Sequence, residues 1–172
     1  MMVHTDPTPK RAMLYRGAAD EVVECFLCAH RCRIGPGERG YCSVRENREG
    51  ELYSLNYGLP VAEQSDPIEK KPLFHFLPGT RSYSVAAFGC NFHCDFCQNW
   101  RISQTGDEEV DFPFQEKTTP EEIVERALAS GCKSIAYTYS EPTVFFEYAT
   151  EIGRLAHDAG LKNIFVTNGY QT

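Results

Sequence analysis

The stretch SYSVAAFGCNFHCDFC, residues 82–97, decides the fold of this chain and places its chemistry. Residues 82–88 are mostly apolar and predict a buried β-strand. Three cysteines follow at once, Cys90, Cys94 and Cys97, with the spacing C-x3-C-x2-C. Because cysteine thiolates bind zinc and iron, the sequence predicts a metal-binding loop at the end of this strand.

Further along the chain, helices and strands alternate. The pattern predicts a helix that begins at a capping box formed by Thr119 and Glu122, a strand over 134–139, a helix over 143–159 and a strand over 163–167. Strands that alternate with helices in this way form parallel sheets with crossover helices, so the expected class is α/β. The loop over 98–117 has no clear period.

Short segments with polar side chains directly follow the second and third of these predicted strands. Since the carboxyl ends of parallel strands meet at one edge of a sheet, we expect these residues to lie close to the three cysteines. The residues concerned are Ser140, Glu141 and Pro142 after the second strand, and Asn168 and Gly169 after the third.

Composition narrows the classes of function. Of 172 residues, 42% are hydrophobic and 24% are charged, which is typical of a globular protein. The net charge of −7 argues against a nucleic acid as partner, because phosphate binding needs a basic surface. No apolar run approaches the ~20 residues of a membrane span, and the polar start does not resemble a signal peptide. We therefore expect a cytoplasmic location and no membrane partner.

Eight cysteines are the most informative feature of the composition. In a reducing cytoplasm, closely spaced cysteines indicate metal ligands more often than disulfides. Besides the group at 90–97, a first group comprises Cys25, Cys28, Cys32 and Cys42. Four thiolates suit either structural zinc or a second iron–sulfur cluster, and the glycine-rich loop between the ligand pairs favours zinc. The eighth, Cys132, is predicted to be an ordinary buried thiol.

The two cysteine groups suggest two domains. Residues 1–79 are predicted to form an amino-terminal Cys-rich module with a proline-containing linker, and residues 80–172 a core domain.

For the group at 90–97, one interpretation is a zinc site completed by His93 or a distant residue. The other is an iron–sulfur cluster with one iron left open, because three cysteines leave one corner of a cubane without a protein ligand.

The segment from Gly89 to Cys97, with the aromatic Phe96 before the last cysteine, resembles the signature of radical S-adenosylmethionine (SAM) enzymes. The resemblance implies that Cys90, Cys94 and Cys97 hold a [4Fe–4S] cluster whose fourth iron is chelated by SAM, and that Phe96 lies near the adenine. In that family, an electron from the cluster cleaves SAM to methionine and a 5′-deoxyadenosyl radical, which abstracts hydrogen from a substrate.

Two further segments resemble SAM-binding motifs of the same family. Tyr139-Ser140-Glu141-Pro142 resembles a Gly-Gly-Glu-Pro-like segment, which implies that Ser140 and Glu141 help to bind the methionine amine. Its two glycines are replaced here, so the conformational freedom of glycine is lost. Thr167-Asn168-Gly169 resembles the segment near the SAM carboxylate and ribose.

The stretch DPIEKKPLFHFLPG, residues 66–79, together with the first cysteine group, resembles the pyruvate formate-lyase-activating-enzyme-like branch, in particular the AmmeMemoRadiSam-system enzymes. The resemblance implies a partial (β/α)6 barrel, of which this chain holds the first half, truncated after three strands. It implies a protein glycine or another macromolecular group as substrate, and flavodoxin or ferredoxin as a low-potential electron donor.

Two other classes of protein remain open from the residues alone. A zinc-binding interaction module would be colourless and unaffected by SAM. A closed iron–sulfur electron-transfer protein would be brown but would have no open iron, and it would not cleave SAM.

Overall fold

The structure, a computed structural model, describes residues 9–104 and 117–172, and every structural statement below concerns these ranges. The predicted loop over 98–117 lies mostly outside them, as does the start of the chain. The strands are β1 (Lys10–Arg11), β2 (Tyr15–Gly17), β3 (Val23–Cys25), β4 (Arg33–Ile34), β5 (Arg45–Arg48), β6 (Glu51–Ser54), β7 (Pro60–Pro67), β8 (Arg81–Ala87), β9 (Ser134–Tyr137) and β10 (Lys162–Phe165). The helices are α1 (Trp100–Ser103), α2 (Pro120–Ala129) and α3 (Phe146–Asp158).

The central sheet has the strand order β10-β9-β8-β7. Strands β8, β9 and β10 are parallel, with Ser134 paired to both Ser82 and Lys162. Helix α2 connects β8 to β9, and α3 connects β9 to β10. The predicted parallel α/β arrangement of strands and helices is therefore confirmed for these elements.

Strand β7 was not predicted, because residues 60–67 read as part of a proline-containing loop. It runs antiparallel to β8, from Pro60 opposite Ala87 to Pro67 opposite Arg81. Both prolines lie at the ends of an edge strand, where a missing N–H is tolerated. The residues between them show no apolar run, which hides the strand from periodicity. Residues within the predicted amino-terminal module thus contribute a strand to the central sheet.

Helix α2 begins as the sequence predicts. Glu122 N donates to Thr119 Oγ1 at 3.3 Å, and the Glu122 carboxylate accepts from Thr119 N at 2.7 Å. The second predicted helix is divided: a 3-10 turn over Pro142–Phe145 precedes α3. Both helices pack on one face of the central sheet, where the buried cluster includes Val85 of β8.

The amino-terminal part forms two small antiparallel sheets with the orders β1-β6-β5 and β2-β3-β4. The partly alternating residues 51–57 predict a short strand, which corresponds to β6, whereas most of the other strands are too short for a periodic pattern. A buried ion pair between Arg45 of β5 and Glu147 of α3 links this part to the central sheet. The Glu147 carboxylate also accepts a hydrogen bond from Met13 N at 2.7 Å. In the described ranges, no helix has the length and apolar character needed to cross a membrane.

Candidate active site

The candidate site begins where β8 ends, at Gly89. Its φ of +95° is one that L side chains rarely adopt, and an added Cβ would lie only 2.7 Å from a methyl carbon of Val44. Glycine is therefore required at this position. Gly89 N donates to Ile102 O at 2.9 Å, which holds both ends of the cysteine loop together.

The three cysteines of this loop are free, partly buried thiols. Phe92 N donates to Cys90 Sγ at 3.4 Å, and Cys97 Sγ lies 3.1 Å from Ser103 Oγ. Burial raises the pKa of the Cys90 thiol, while the Phe92 N–H opposes this shift; nearby Glu141, Cys94 and Cys97 raise the pKa further. Cys94 and Cys97 therefore lie close to Cys90, and a bound metal centre would favour the thiolate forms of its ligands.

Glu141 holds the ends of β9 and β10 together. Its side chain is buried, and Oε1 accepts from Thr143 N at 3.0 Å, Thr143 Oγ1 at 2.6 Å and Thr167 Oγ1 at 2.7 Å. Oε2 accepts from Asn168 N at 2.8 Å. A carboxylate has about four acceptor positions, and Oε2 has received one bond, so it retains capacity for a further donor.

Hydrogen bonds also connect the cysteine loop to the other two strand ends. Asn168 Nδ2 donates to Asn91 Oδ1 at 2.8 Å, and Ser140 Oγ donates to Ala87 O at 2.6 Å. The loop after β8 and the segments after β9 and β10 therefore meet at one edge of the sheet, as the strand order predicts. Phe96 projects from this edge with 87% of its surface exposed.

Tyr139 adopts φ +67°, the left-handed conformation that usually favours glycine. Several contacts hold it there: Asn99 Nδ2 donates to Tyr139 O at 2.9 Å, the hydroxyl donates to Asp66, and Lys71 Nζ lies 4.6 Å from the ring centroid. The glycine-like backbone conformation is thus kept at this position despite the side chain.

Asp66 is the centre of a charged network that the sequence reasoning missed. Its carboxylate accepts from Lys70 Nζ at 2.9 Å, Lys71 Nζ at 3.0 Å and Ser84 Oγ at 2.9 Å, in addition to Tyr139. Burial alone would raise the pKa of Asp66, but these hydrogen bonds outweigh burial and lower it. The signal in the sequence is an aspartate that lies four and five positions before two adjacent lysines.

This network lies on the sheet face opposite the helices. Tyr83 and Val85 of β8 point to the helical layer, so Ser84 points the other way. On that opposite face, Ala136 and Ile164 pack against Ile68, with Leu73 and Leu77 beside them. The segment 66–79 therefore covers part of the sheet face that does not contact the helices.

The first cysteine group also comes together in space. Cys25, Cys28, Cys32 and Cys42 line one small cavity of about 20 Å3. All four are free thiols. Within the described ranges, no three Cys, His, Asp or Glu side chains are already arranged to hold a single metal ion.

The residues at 90–97 fit a [4Fe–4S] cluster in the number and chemistry of their donors. They offer three thiols without a fourth cysteine on the loop, and the Phe92 N–H is already directed at one sulfur. Each ligand of such a cluster binds a different iron, so its sulfurs lie farther apart than those around a single ion.

Comparison with known proteins identifies the family. The family model described as the radical SAM superfamily matches residues 84–172. The chain is 48% identical over 161 residues to Uncharacterized protein MJ0808 of Methanocaldococcus jannaschii. The aligned region covers 94% of this chain and 47% of that protein. It is 35% identical over 81 residues to Uncharacterized protein MJ0674 of the same organism, covering 46% of this chain and 19% of that protein.

The chain thus spans about half the length of the first relative and less of the second. No solved structure matches the chain. The matched residues run from within β8 through β10, and they include the three-cysteine loop and the hydrogen-bonded strand ends. This chain belongs to the radical SAM superfamily.

Proposed function

We propose that the chain is the amino-terminal part of a radical SAM enzyme in which Cys90, Cys94 and Cys97 hold a [4Fe–4S] cluster. The observation that carries the proposal is the position of these three free thiols beside the joined ends of β9 and β10. When bound, the cluster supplies the electron that cleaves SAM to methionine and the 5′-deoxyadenosyl radical that abstracts hydrogen from a substrate.

The strand ends would bind and orient SAM. Glu141 Oε2 retains an acceptor position for the methionine ammonium, and Ser140 lies beside it in the chain. Thr167 and Asn168 would lie near the carboxylate and ribose, and Glu141 fixes both through its hydrogen bonds. Phe96, exposed at the same edge, would contact the adenine.

The remainder of the barrel would follow this chain. Among the described residues β10 pairs only with β9, and Phe165 on this strand is 43% exposed. We propose that later strands pair with β10 and complete a partial (β/α)6 barrel, in line with the shorter length of this chain than of its relative. The face that carries Asp66 and Ser84 would then point into the barrel interior.

The branch, the substrate and the electron donor belong to the same proposal. The segment 66–79 and the first cysteine group support membership of the activating-enzyme-like branch, most like the AmmeMemoRadiSam-system enzymes. Its substrate would be a protein glycine or another macromolecular group, and its reductant flavodoxin or ferredoxin. The acidic balance of the chain supports a partner other than nucleic acid.

The proposal is tested by anaerobic reconstitution of the full-length polypeptide, followed by iron and sulfide analysis and by an assay for 5′-deoxyadenosine under dithionite. The variants Cys90→Ser, Cys94→Ser and Cys97→Ser are expected to lose the iron of this cluster and SAM cleavage. The matched control is Cys132→Ser, since Cys132 is a buried thiol outside both groups. If any one of the Cys90→Ser, Cys94→Ser and Cys97→Ser variants cleaved SAM at the wild-type rate, the assignment would be overturned.

A further inference from the structure

We propose that Cys25, Cys28, Cys32 and Cys42 bind one zinc ion, and that this ion fixes the amino-terminal part of the chain against the radical SAM cysteine loop. The four residues come from separate turns and strand ends: Cys25 ends β3, Cys32 precedes β4, and Cys42 precedes β5. They converge on a single cavity although 17 positions separate the first from the last.

The cavity that the four cysteines share is small, and a single ion needs less rearrangement of its lining than a cluster does. A volume of about 20 Å3 accommodates one water-sized particle. A cubane cluster of four irons and four sulfides needs far more room between its ligands. Zinc binds four thiolates at about 2.3 Å. Because the described residues hold no preformed single-ion site, the four side chains would have to move inward to complete a tetrahedral site.

Hydrogen-bond donors are already placed around these sulfurs. Burial raises the pKa of the Cys28 and Cys42 thiols, and the backbone N–H groups of His30 and Val44, which lie near the two sulfurs, oppose that rise. Arg45 Nη1 donates to Cys25 Sγ at 3.5 Å. Donors of this kind stabilise the thiolate form that a metal requires, and they orient the ligands.

Two buried donors nearby lack the partners that a zinc–thiolate centre would give them. Arg45 Nε and Asn91 Nδ2 are buried and make no well-formed hydrogen bond among the described residues. Asn91 lies near Cys28, and Arg45 lies beside Cys25 and Cys42. Four thiolates around Zn2+ carry a net charge of −2, and the Arg45 guanidinium, which pairs with Glu147, would be shared between that carboxylate and the zinc centre.

The site contacts the radical SAM loop directly. His30 Nε2 lies 2.8 Å from the carbonyl oxygen of Asn91, the residue that follows Cys90. The ring of Tyr41 stacks between those of His30 and His93, at centroid distances of 4.3 and 4.6 Å. A zinc ion that orders Cys28 and its neighbours would therefore also order the loop that carries the cluster ligands.

The test uses the full-length protein with a triple Cys90/Cys94/Cys97→Ser background, which separates this site from the proposed cluster. We expect one zinc per chain and no inorganic sulfide in that background. Cobalt(II) added to the zinc-free protein should give the intense d–d bands of a tetrahedral thiolate site. Adding Cys32→Ser or Cys42→Ser should remove the zinc, whereas adding Cys132→Ser should leave one equivalent.

Several outcomes would overturn the inference. The first is iron and inorganic sulfide bound to the triple-serine protein. The second is the absence of zinc from that protein after expression in zinc-supplemented medium, and the third is full retention of zinc when Cys32→Ser is added. Circular dichroism checks that each variant is folded, and cobalt titration of the protein with all four cysteines intact does not depend on any substitution at the site. Because cluster formation is not part of the readout, failure here leaves the proposed SAM chemistry standing.

Discussion

The Glu141 carboxylate accepts a hydrogen bond from Asn168 N at 2.8 Å, which ties the segment after β9 to the segment after β10. Its other oxygen is bonded to Thr143 and Thr167. A single buried side chain therefore fixes the relative position of two of the three strand ends that form the candidate site.

Replacing Glu141 by Gln is expected to lower the free energy of unfolding by about 2 kcal/mol. The reason is that the NH2 group of Gln would replace one acceptor oxygen and would lie opposite hydrogen-bond donors. It should also weaken SAM binding by at least several-fold in the loaded enzyme. Denaturant titration and equilibrium binding check the two effects. Glu125→Gln, on an exposed part of α2, is the matched control and should change stability by less than about 0.5 kcal/mol. Equal stability of the two variants would contradict the bonding described for Glu141.

The conformation of Tyr139 makes a prediction about glycine. Tyr139→Ala and Tyr139→Gly both remove the ring and the hydroxyl, but only glycine adopts φ +67° without strain. The glycine variant should therefore be more stable than the alanine variant by about 1 kcal/mol in denaturant titration. If the alanine variant were as stable as the glycine variant, or more stable, the result would contradict a positive φ at residue 139.

The Asp66 network predicts a dependence of stability on pH. Because the folded protein lowers the pKa of Asp66, the carboxylate stabilises the fold fully above the unfolded pKa of about 4 and progressively less as pH falls below it. Asp66→Asn should cost about 3 kcal/mol at pH 7, and the difference from the parent protein should shrink between pH 4 and pH 2. Chemical denaturation at several pH values measures this difference. Lys70→Met serves as control, since Lys70 is largely exposed and should cost under about 1 kcal/mol. A difference that stays constant down to pH 2 would be inconsistent with the network.

The buried pair of Arg45 and Glu147 should hold the amino-terminal part against α3. Glu147→Gln leaves the guanidinium without its countercharge, and we expect a loss of about 3–5 kcal/mol in unfolding free energy. The double variant Arg45→Met/Glu147→Met should recover part of that loss, because no unpaired charge remains buried. The single variants Arg45→Met and Glu147→Met, together with this double variant, form the double-mutant cycle that measures the coupling. Strictly additive effects would show that the two charges do not interact.

Much of the core and of the candidate site follows from local patterns in the sequence. The apolar runs that form β8 and β9, and the capping box at Thr119, are short-range signals. From the strand order alone, Glu141 and Asn168 were expected beside the cysteine loop, and their hydrogen bonds connect these segments.

What the sequence could not supply depends on contacts between distant residues. Strand β7 has no apolar run and is recognisable only from its pairing with β8. The bond from Tyr139 to Asp66 joins residues 73 positions apart, and no local period indicates it. The positive φ of Tyr139 is likewise set by its tertiary contacts, against the preference of its residue type.

The central claim is that three thiolates on the loop after β8 hold a cluster with one iron open to SAM. Electron paramagnetic resonance of the anaerobically reduced full-length protein, with and without SAM, tests it most directly. We predict a reduced [4Fe–4S] signal whose g values and line shape change when SAM is added, and which is lost in the Cys94→Ser variant. A signal that SAM leaves unchanged, or one that persists in that variant, would contradict the account.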